Sequence, residues 1–330
     1  MRDHVRLLVW LAALTMALTG CGVMDAERGK TAPEATVLSS GSAPEIPEKL
    51  SRNEAGVPLL RVYDTAAKTV REMDAETYLE GVLAGEMRND WPLEALKAQA
   101  ILARTFVMQF VEEKESKYAG ADISTDVSEA QAYSAGSVNE TVKRAVRETR
   151  GMVATADGKL IHAWFHAHAG GRTELPSAGL DYREGDPDYI VSVDSPDSED
   201  APEEVKRWTV RFSAEAVGRA CADAGVATGD VTSIGIERRS DSGRARTFVV
   251  NGKAVSAPAL RINLDASRLK STMIDSVRLE DGQVIFEGRG FGHGVGMSQW
   301  GAYGMARDGA DAEEIISYYF RGVRVVRMWD

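Results

Sequence analysis

The chain has 330 residues, 44% of them hydrophobic and 27% charged. That is an ordinary globular balance, with room for one large domain or two small ones. A net charge of −11 argues against a nucleic-acid partner, whose phosphates call for a basic surface.

The first element is N-terminal. "MRDHVRLLVWLAALTMALTGC" places Arg2 and Arg6 before an apolar run from Leu7 to Leu18, which closes on Leu18-Thr19-Gly20-Cys21. The run is short for a membrane span and has the shape of a signal peptide. Leu-Thr-Gly-Cys resembles a bacterial lipobox, in which the cysteine is lipidated and becomes the first residue of the mature chain. The alternative is an uncleaved anchor. On either reading the remainder lies outside the cytoplasm, at the outer face of the membrane. With lipid on Cys21, Cys221 stands alone and no disulfide forms. Cys221 follows Val217 and Ala220 at helical spacing and reads as a small buried hydrophobe.

Residues 22–57 hold Pro33, Pro44 and Pro47 among Ser, Glu, Ala and Gly, with few large apolar groups. This composition predicts a disordered tether. The folded domain is expected over 58–330, opening with the strand "LLRVY". In "DAETYLEGVLAGEM" Asp74 is the expected N-cap, and Leu79, Val82, Leu83 and Glu86 share a face. "WPLEALKAQAILARTFVMQFVEEK" is the strongest helix signal, with Pro92 suited to its first turn and Leu96, Ala100, Ala103, Val107 and Phe110 as its stripe. From about residue 120 to about 200 the signal is mixed, with a short strand expected in "LIHAWFHAHAGGRTE". "SAEAVGRACADAG" reads as a helix capped by Ser213. Turn signals follow at Asp241-Ser242-Gly243, Asn251-Gly252 and Asp281-Gly282. "GRGFGHGVGMSQWGAYGMA" has glycine at every second position from Gly288 to Gly296. If extended, it leaves one face as bare backbone; the alternative is a glycine-rich turn closing a β-structure. Helices are expected from about Ser298 and in "DAEEIISYYF". The fold class is α+β: a helical N-terminal block packed on a hairpin-rich C-terminal part.

Four constellations carry candidate chemistry. Glu86 borders an apolar stripe, so its pKa should rise toward that of a general acid at neutral pH; a merely solvated glutamate is the alternative. Lys97 and Arg104 lie two helical turns apart and share a face that would suit a polar or anionic substrate, unless they are surface charges paired with Glu94 and its neighbours. His162, His166 and His168 alternate around Trp164; on a strand they would face one side, as metal ligands or as a polar groove wall. His293, Ser298 and Gln299 cluster at the glycine run, where a Ser–His nucleophile lacks the Gly-x-Ser-x-Gly elbow.

"YLEGVLAGEM", "WPLEALKAQAILARTFV", "AWFHAHAGGRTE", "GRGFGHGVGMSQWGAYGMA" and the tail "SYYFRGVRV" occur in that order. Together they resemble the stage II sporulation protein D family and its amidase-enhancer relatives, over roughly residues 59–327. The resemblance implies a lytic transglycosylase acting on peptidoglycan glycan strands freed of stem peptides. Its catalytic glutamate falls on Glu86 in the Glu-Met dipeptide, and Lys97, Gln99, Arg104 and Thr105 line or brace the site. By the same resemblance His166, Gly170, Gly171 and Thr173, together with His293, Ser298 and Gln299, belong to the substrate-binding set. The glycine run would form a backbone floor beside the glycan groove. Some members bind zinc through cysteines after the histidine matched by His166. Here Ala169 stands near that place, so no metal and no other cofactor is assigned.

A lytic transglycosylase needs a single carboxyl. The acid protonates the glycosidic oxygen between N-acetylmuramic acid and N-acetylglucosamine, then as a base takes the proton of the attacking C6 hydroxyl, leaving a 1,6-anhydro end. The competing reading is a non-enzymatic wall-bound protein that binds glycan and activates a cell-wall amidase. A zinc hydrolase built on His162, His166 and His168 ranks behind both.

Overall fold

The computed structural model describes residues 43–330. Leu59–Asp64 (β1) and Thr69–Asp74 (β2) form an antiparallel hairpin, and Ile123–Ser124 (β3) adds to β1 in parallel. Asp74 then caps Ala75–Glu86 (α1), its carboxylate accepting from Thr77 N–H at 2.9 Å. Leu93–Glu113 (α2) follows, with Pro92 at the N-cap rather than inside the first turn. The stripe of α2 is buried as the spacing requires: Leu96, Ala100, Ala103, Val107 and Phe110 are all in the core. Glu140–Glu148 (α3) packs against both α1 and α2.

Two apolar clusters organise the described residues. One surrounds α1 and α2. The other joins the sheet of Trp208–Ser213, Gln283–Gly288 and Ile274–Glu280 to the meander of Ile234–Arg239, Ala245–Val250 and Lys253–Ser256, with helices Ala214–Asp223 and Ala257–Asp265 against them. The three turn signals named above fall between the paired strands of this second region. Ser213 caps its helix, and Cys221 is buried there as a free thiol. The chain then returns to the first core. Gln299–Arg307 and Ala312–Tyr319 pack on α2, and Arg324–Arg327 pairs with Met152–Ala156.

Three expectations change. The tether does not extend to residue 57: Ile46, Leu50 and Val57 are buried in the first core, because a few well-spaced apolar side chains suffice to anchor a segment of polar average composition. In "LIHAWFHAHAGGRTE" the strand does not run on to Gly170-Gly171: Leu160 ends the Lys159–Leu160 strand, and a separate two-residue strand, Phe165–His166, runs parallel to Met297–Ser298. The glycine run is neither flat nor extended. Gly290, Gly292, Gly294 and Gly296 all have left-handed φ, between 70° and 110°, so the chain coils through the protein and offers no bare face. A Cβ at Gly294 would sit 2.5 Å from the Arg244 guanidinium, and one at Gly296 would strike the Trp164 carbonyl.

Candidate active site

Glu86 is the last residue of α1. Its carboxylate accepts a hydrogen bond from Ala132 N–H at 2.6 Å. Gln299, at the start of the Gln299–Arg307 helix, donates through Nε2 to the Glu86 carbonyl at 3.2 Å and reaches Gln99 Oε1 on α2 at 3.4 Å. Residues separated by 200 and more positions thus meet at the end of α1 that carries Glu86. Burial pushes the Glu86 pKa up to about 7, against hydrogen bonds from Ala132 N–H and the Gln299 side chain that favour the anion. The carboxyl also sits at the C-terminal, negative end of a helix, which disfavours a second negative charge. Glu86 remains partly accessible.

The close approach of residues 132 and 133 to α1 depends on two glycines one turn apart. A Cβ at Gly85 would lie 2.6 Å from Tyr133 N, and one at Gly81 would overlap the Tyr133 ring. Trp300, which follows Gln299, belongs to an aromatic trio: Trp91 contacts Trp300 at 4.5 Å and Tyr303 at 5.1 Å between ring centroids. Gln99 is fully buried, and its Nε2 has no partner among the described residues.

The other expected site residues lie elsewhere. Lys97 pairs with Glu94 at 2.8 Å and Glu148 at 3.6 Å, so the ion-pair alternative describes it. Arg104 is fully buried and does not face a groove. It binds Glu76 through Nε at 3.1 Å and Nη2 at 2.6 Å, and Glu76 also accepts from Gly151 N–H and Trp329 Nε1. These contacts tie α1 and α2 to the C-terminus. Thr105 braces α2 against Ala154 N–H at 2.8 Å.

His162, His166 and His168 do not share a face, because most of that segment is not a strand. His162 Nδ1 meets Gln109; His166 Nδ1 meets the Val295 carbonyl at 3.1 Å; His168 Nδ1 accepts from Gly170 N–H at 3.0 Å. Among the described residues no three His, Cys, Asp or Glu side chains stand together as metal ligands. The donor set does not fit the zinc of other members: Ala169 brings no ligand atom, and His168 is engaged with Gly170 and Asp197.

Gly170 and Gly171 have left-handed φ. Thr173 is fully buried, donating to the Val191 carbonyl and accepting from Val193 N–H. Ser298 is fully buried, caps its helix and donates to Asp197 at 2.6 Å. His293 accepts from Val295 N–H at 3.0 Å, and burial beside Arg261 and Arg244 lowers its pKa to about 3. Of the residues set out from the sequence, the structure therefore gathers Gln99 and Gln299 at Glu86 and gives the others bracing contacts.

Sequence reasoning missed Ala132, Asp197 and the Trp300–Tyr303 pair. Asp197 holds Gly170 N–H, Ser195 and Ser298 together. It lies in the loop-rich stretch, where no periodicity marks it. Trp300 and Tyr303 did carry a signal, the i, i+3 aromatic spacing within "SQWGAY".

Comparison with known proteins agrees with the motif order. The family model described as "Stage II sporulation protein" matches residues 63–155, and a domain of unknown function matches residues 191–296. An uncharacterised protein of Brachyspira hyodysenteriae is 33% identical over 272 residues, covering 80% of this chain and 70% of that protein. Stage II sporulation protein D of Bacillus subtilis is 31% identical over 307 residues, covering 88% and 85%. The amidase enhancer of Bacillus subtilis is 28% identical over 292 residues, covering 74% of this chain and 39% of that protein. With the ordered motifs, the α+β fold and identity spanning most of both chains, this chain belongs to the stage II sporulation protein D family.

Proposed function

We propose that the protein is a peptidoglycan lytic transglycosylase in which Glu86 serves as both acid and base. One observation carries this reading: a partly accessible carboxyl, at the end of a buried helix, whose pKa is raised to about 7 by burial. At neutral pH such a group exists in both forms, as a residue that first gives and then takes a proton must. The protonated form donates to the glycosidic oxygen. The bond to the anomeric carbon breaks, and the resulting carboxylate takes the proton of the C6 hydroxyl as that oxygen closes on the same carbon. Intramolecular attack excludes water and yields a 1,6-anhydro end. Gln299 and Gln99, both buried, brace the backbone of Glu86 from the protein side.

Peptide-free glycan strands incubated with the protein should give products about 18 mass units, roughly one water, below hydrolysed ones, because water does not enter the step. Reducing-end products would make it a hydrolase instead. The amidase-enhancer relative favours a second reading, a glycan-binding protein that activates an amidase. Unaltered strands together with faster amidase turnover would select it. We also propose that the chain is held at the outer face of the membrane by lipid on Cys21, a residue outside those described. Mass analysis of the mature N-terminus should find diacylglycerol there, and an unmodified start at another residue rejects the anchor.

A further inference from the structure

A pocket of 360 Å³ opens at the C-terminal end of α2, apart from Glu86. Its volume falls in the ~300–1,000 Å³ range of small-molecule sites. One wall is aromatic: Trp164 stacks on His162 with ring centroids 4.8 Å apart, and Tyr182 stands edge-on to both. The α2 side of the lining carries the Phe106–Phe110 pair, 6.0 Å between centroids.

A polar relay crosses the pocket. Gln109 Nε2 lies 2.8 Å from His162 Nδ1 and 3.3 Å from Glu113 Oε1; His162 Nε2 lies 3.1 Å from the Tyr182 hydroxyl, which donates to Glu184 at 2.9 Å. These partners fix the protons. The Gln109 amide donates to Nδ1, so neutral His162 carries its proton on Nε2 and passes it toward Tyr182. Burial, which lowers the His162 pKa, keeps that form. Glu113 and Glu184 each keep an oxygen outside the relay, and Lys114 adds a donor at the rim, over the Phe110 ring.

We propose that this pocket is a second saccharide site, taking a neutral N-acetylhexosamine unit of the glycan strand. Flat rings in the lining match the apolar C–H faces of a pyranose, and the carboxylates, amide and ammonium match its hydroxyls and acetamido group. Two carboxylates against one ammonium disfavour a sugar bearing its own carboxylate, so N-acetylglucosamine rather than N-acetylmuramic acid is the occupant.

Two tracks connect the pocket to Glu86. Phe106 and Phe110 project from α2 within about 20° of Gln99, some 10–17 Å further along the helix axis. Trp164 precedes Phe165–His166, and Gln299 follows the Met297–Ser298 strand paired with it, a second estimate of the same separation, about 10 Å. That is the span of a few sugar units. The inference rests on the glycan reading of the Glu86 site.

The test uses the full chain carrying Glu86→Gln, titrated calorimetrically with a hexamer of N-acetylglucosamine. Trp164→Ala should weaken binding at least tenfold, and Tyr182→Phe, which removes only a hydroxyl, about threefold. N-acetylglucosamine should compete at the pocket and N-acetylmuramic acid should not. Unchanged affinity in Tyr182→Phe and in every folded variant overturns the site, as does preference for the acidic sugar or for a simple diamine. Full strand cleavage by Glu86→Gln would instead reject the catalytic reading, and the calorimetric result on the pocket would stand apart from it.

Discussion

At the residue scale Glu86 and Arg104 are opposite cases of a buried charge. Glu86 has no cationic partner in its contacts, only an N–H and an amide, so its pKa rises. Glu86→Gln keeps the shape and still accepts from Ala132 N–H, but it cannot shuttle a proton. Activity on peptide-free glycan should fall by ~10²–10⁴-fold with binding retained; full activity in this variant removes Glu86 as the acid. The same shift sets a stability trend. A carboxyl whose folded pKa lies above its unfolded value contributes stability below the unfolded pKa, and that contribution is lost as pH rises through about 7. Relative to the parent, Glu86→Gln should therefore gain stability between pH 5 and pH 8, by up to a few kcal/mol. Urea denaturation at the two pH values reads this directly, and parallel pH profiles for the two proteins contradict it. Arg104 is the paired case: its guanidinium is satisfied by Glu76 and backbone carbonyls. Arg104→Met strands the Glu76 carboxylate and should cost about 3–5 kcal/mol. A role on substrate alone would leave the urea midpoint unmoved.

At the element scale the site depends on how closely helix and loop approach. Gly85 allows the 132–133 segment to lie on α1, and that segment delivers the N–H to Glu86. Gly85→Ala is helix-compatible but pushes the segment away. Activity should drop at least tenfold, and the alkaline limb of its pH profile, where the acid loses the proton it must donate, should move upward, since a lost hydrogen bond to the carboxylate favours the protonated form. An unchanged profile would show that Ala132 does not tune the acid. The stripe of α2 gives a purely packing test. Leu96 is fully buried, so Leu96→Ala should cost about 2–5 kcal/mol, and an unmoved denaturation midpoint would mean the helix packs less tightly than the structure shows. Both helices were readable from caps and period. The glycine run was readable as unusual, but not as a coil threaded past Trp164 and Arg244, because left-handed φ and close backbone contact leave the same sequence mark as an open face.

At the scale of the whole chain, the two apolar clusters give Cys221 a diagnostic place. It is buried in the second cluster, and burial raises its thiol pKa. In a variant with Cys21→Ser, thiol labelling should be slow and limited by opening of that region, speeding up in Phe286→Ala, which hollows the same core. Rapid labelling of the Cys21→Ser chain with Phe286 intact would place Cys221 at the surface.

What the sequence determined by itself was local and ordered. It set the caps at Asp74 and Ser213, the period of α2, the three tight turns, the candidacy of Glu86 and the succession of motifs that marks the family. These depend on residues within a few positions of each other, or on their order along the chain. The tertiary structure decided which side chains meet. Gln299 reaches Glu86 only because the last helices fold back onto α2; Arg104 turns to Glu76 and Lys97 to Glu94 and Glu148; the three histidines separate because their segment runs mostly as loop. Spacing fixes a face on a helix or strand, but whether that face meets solvent, a partner charge or the core depends on elements far away in sequence. Substrate-facing and bracing residues therefore look alike until the chain has closed around them.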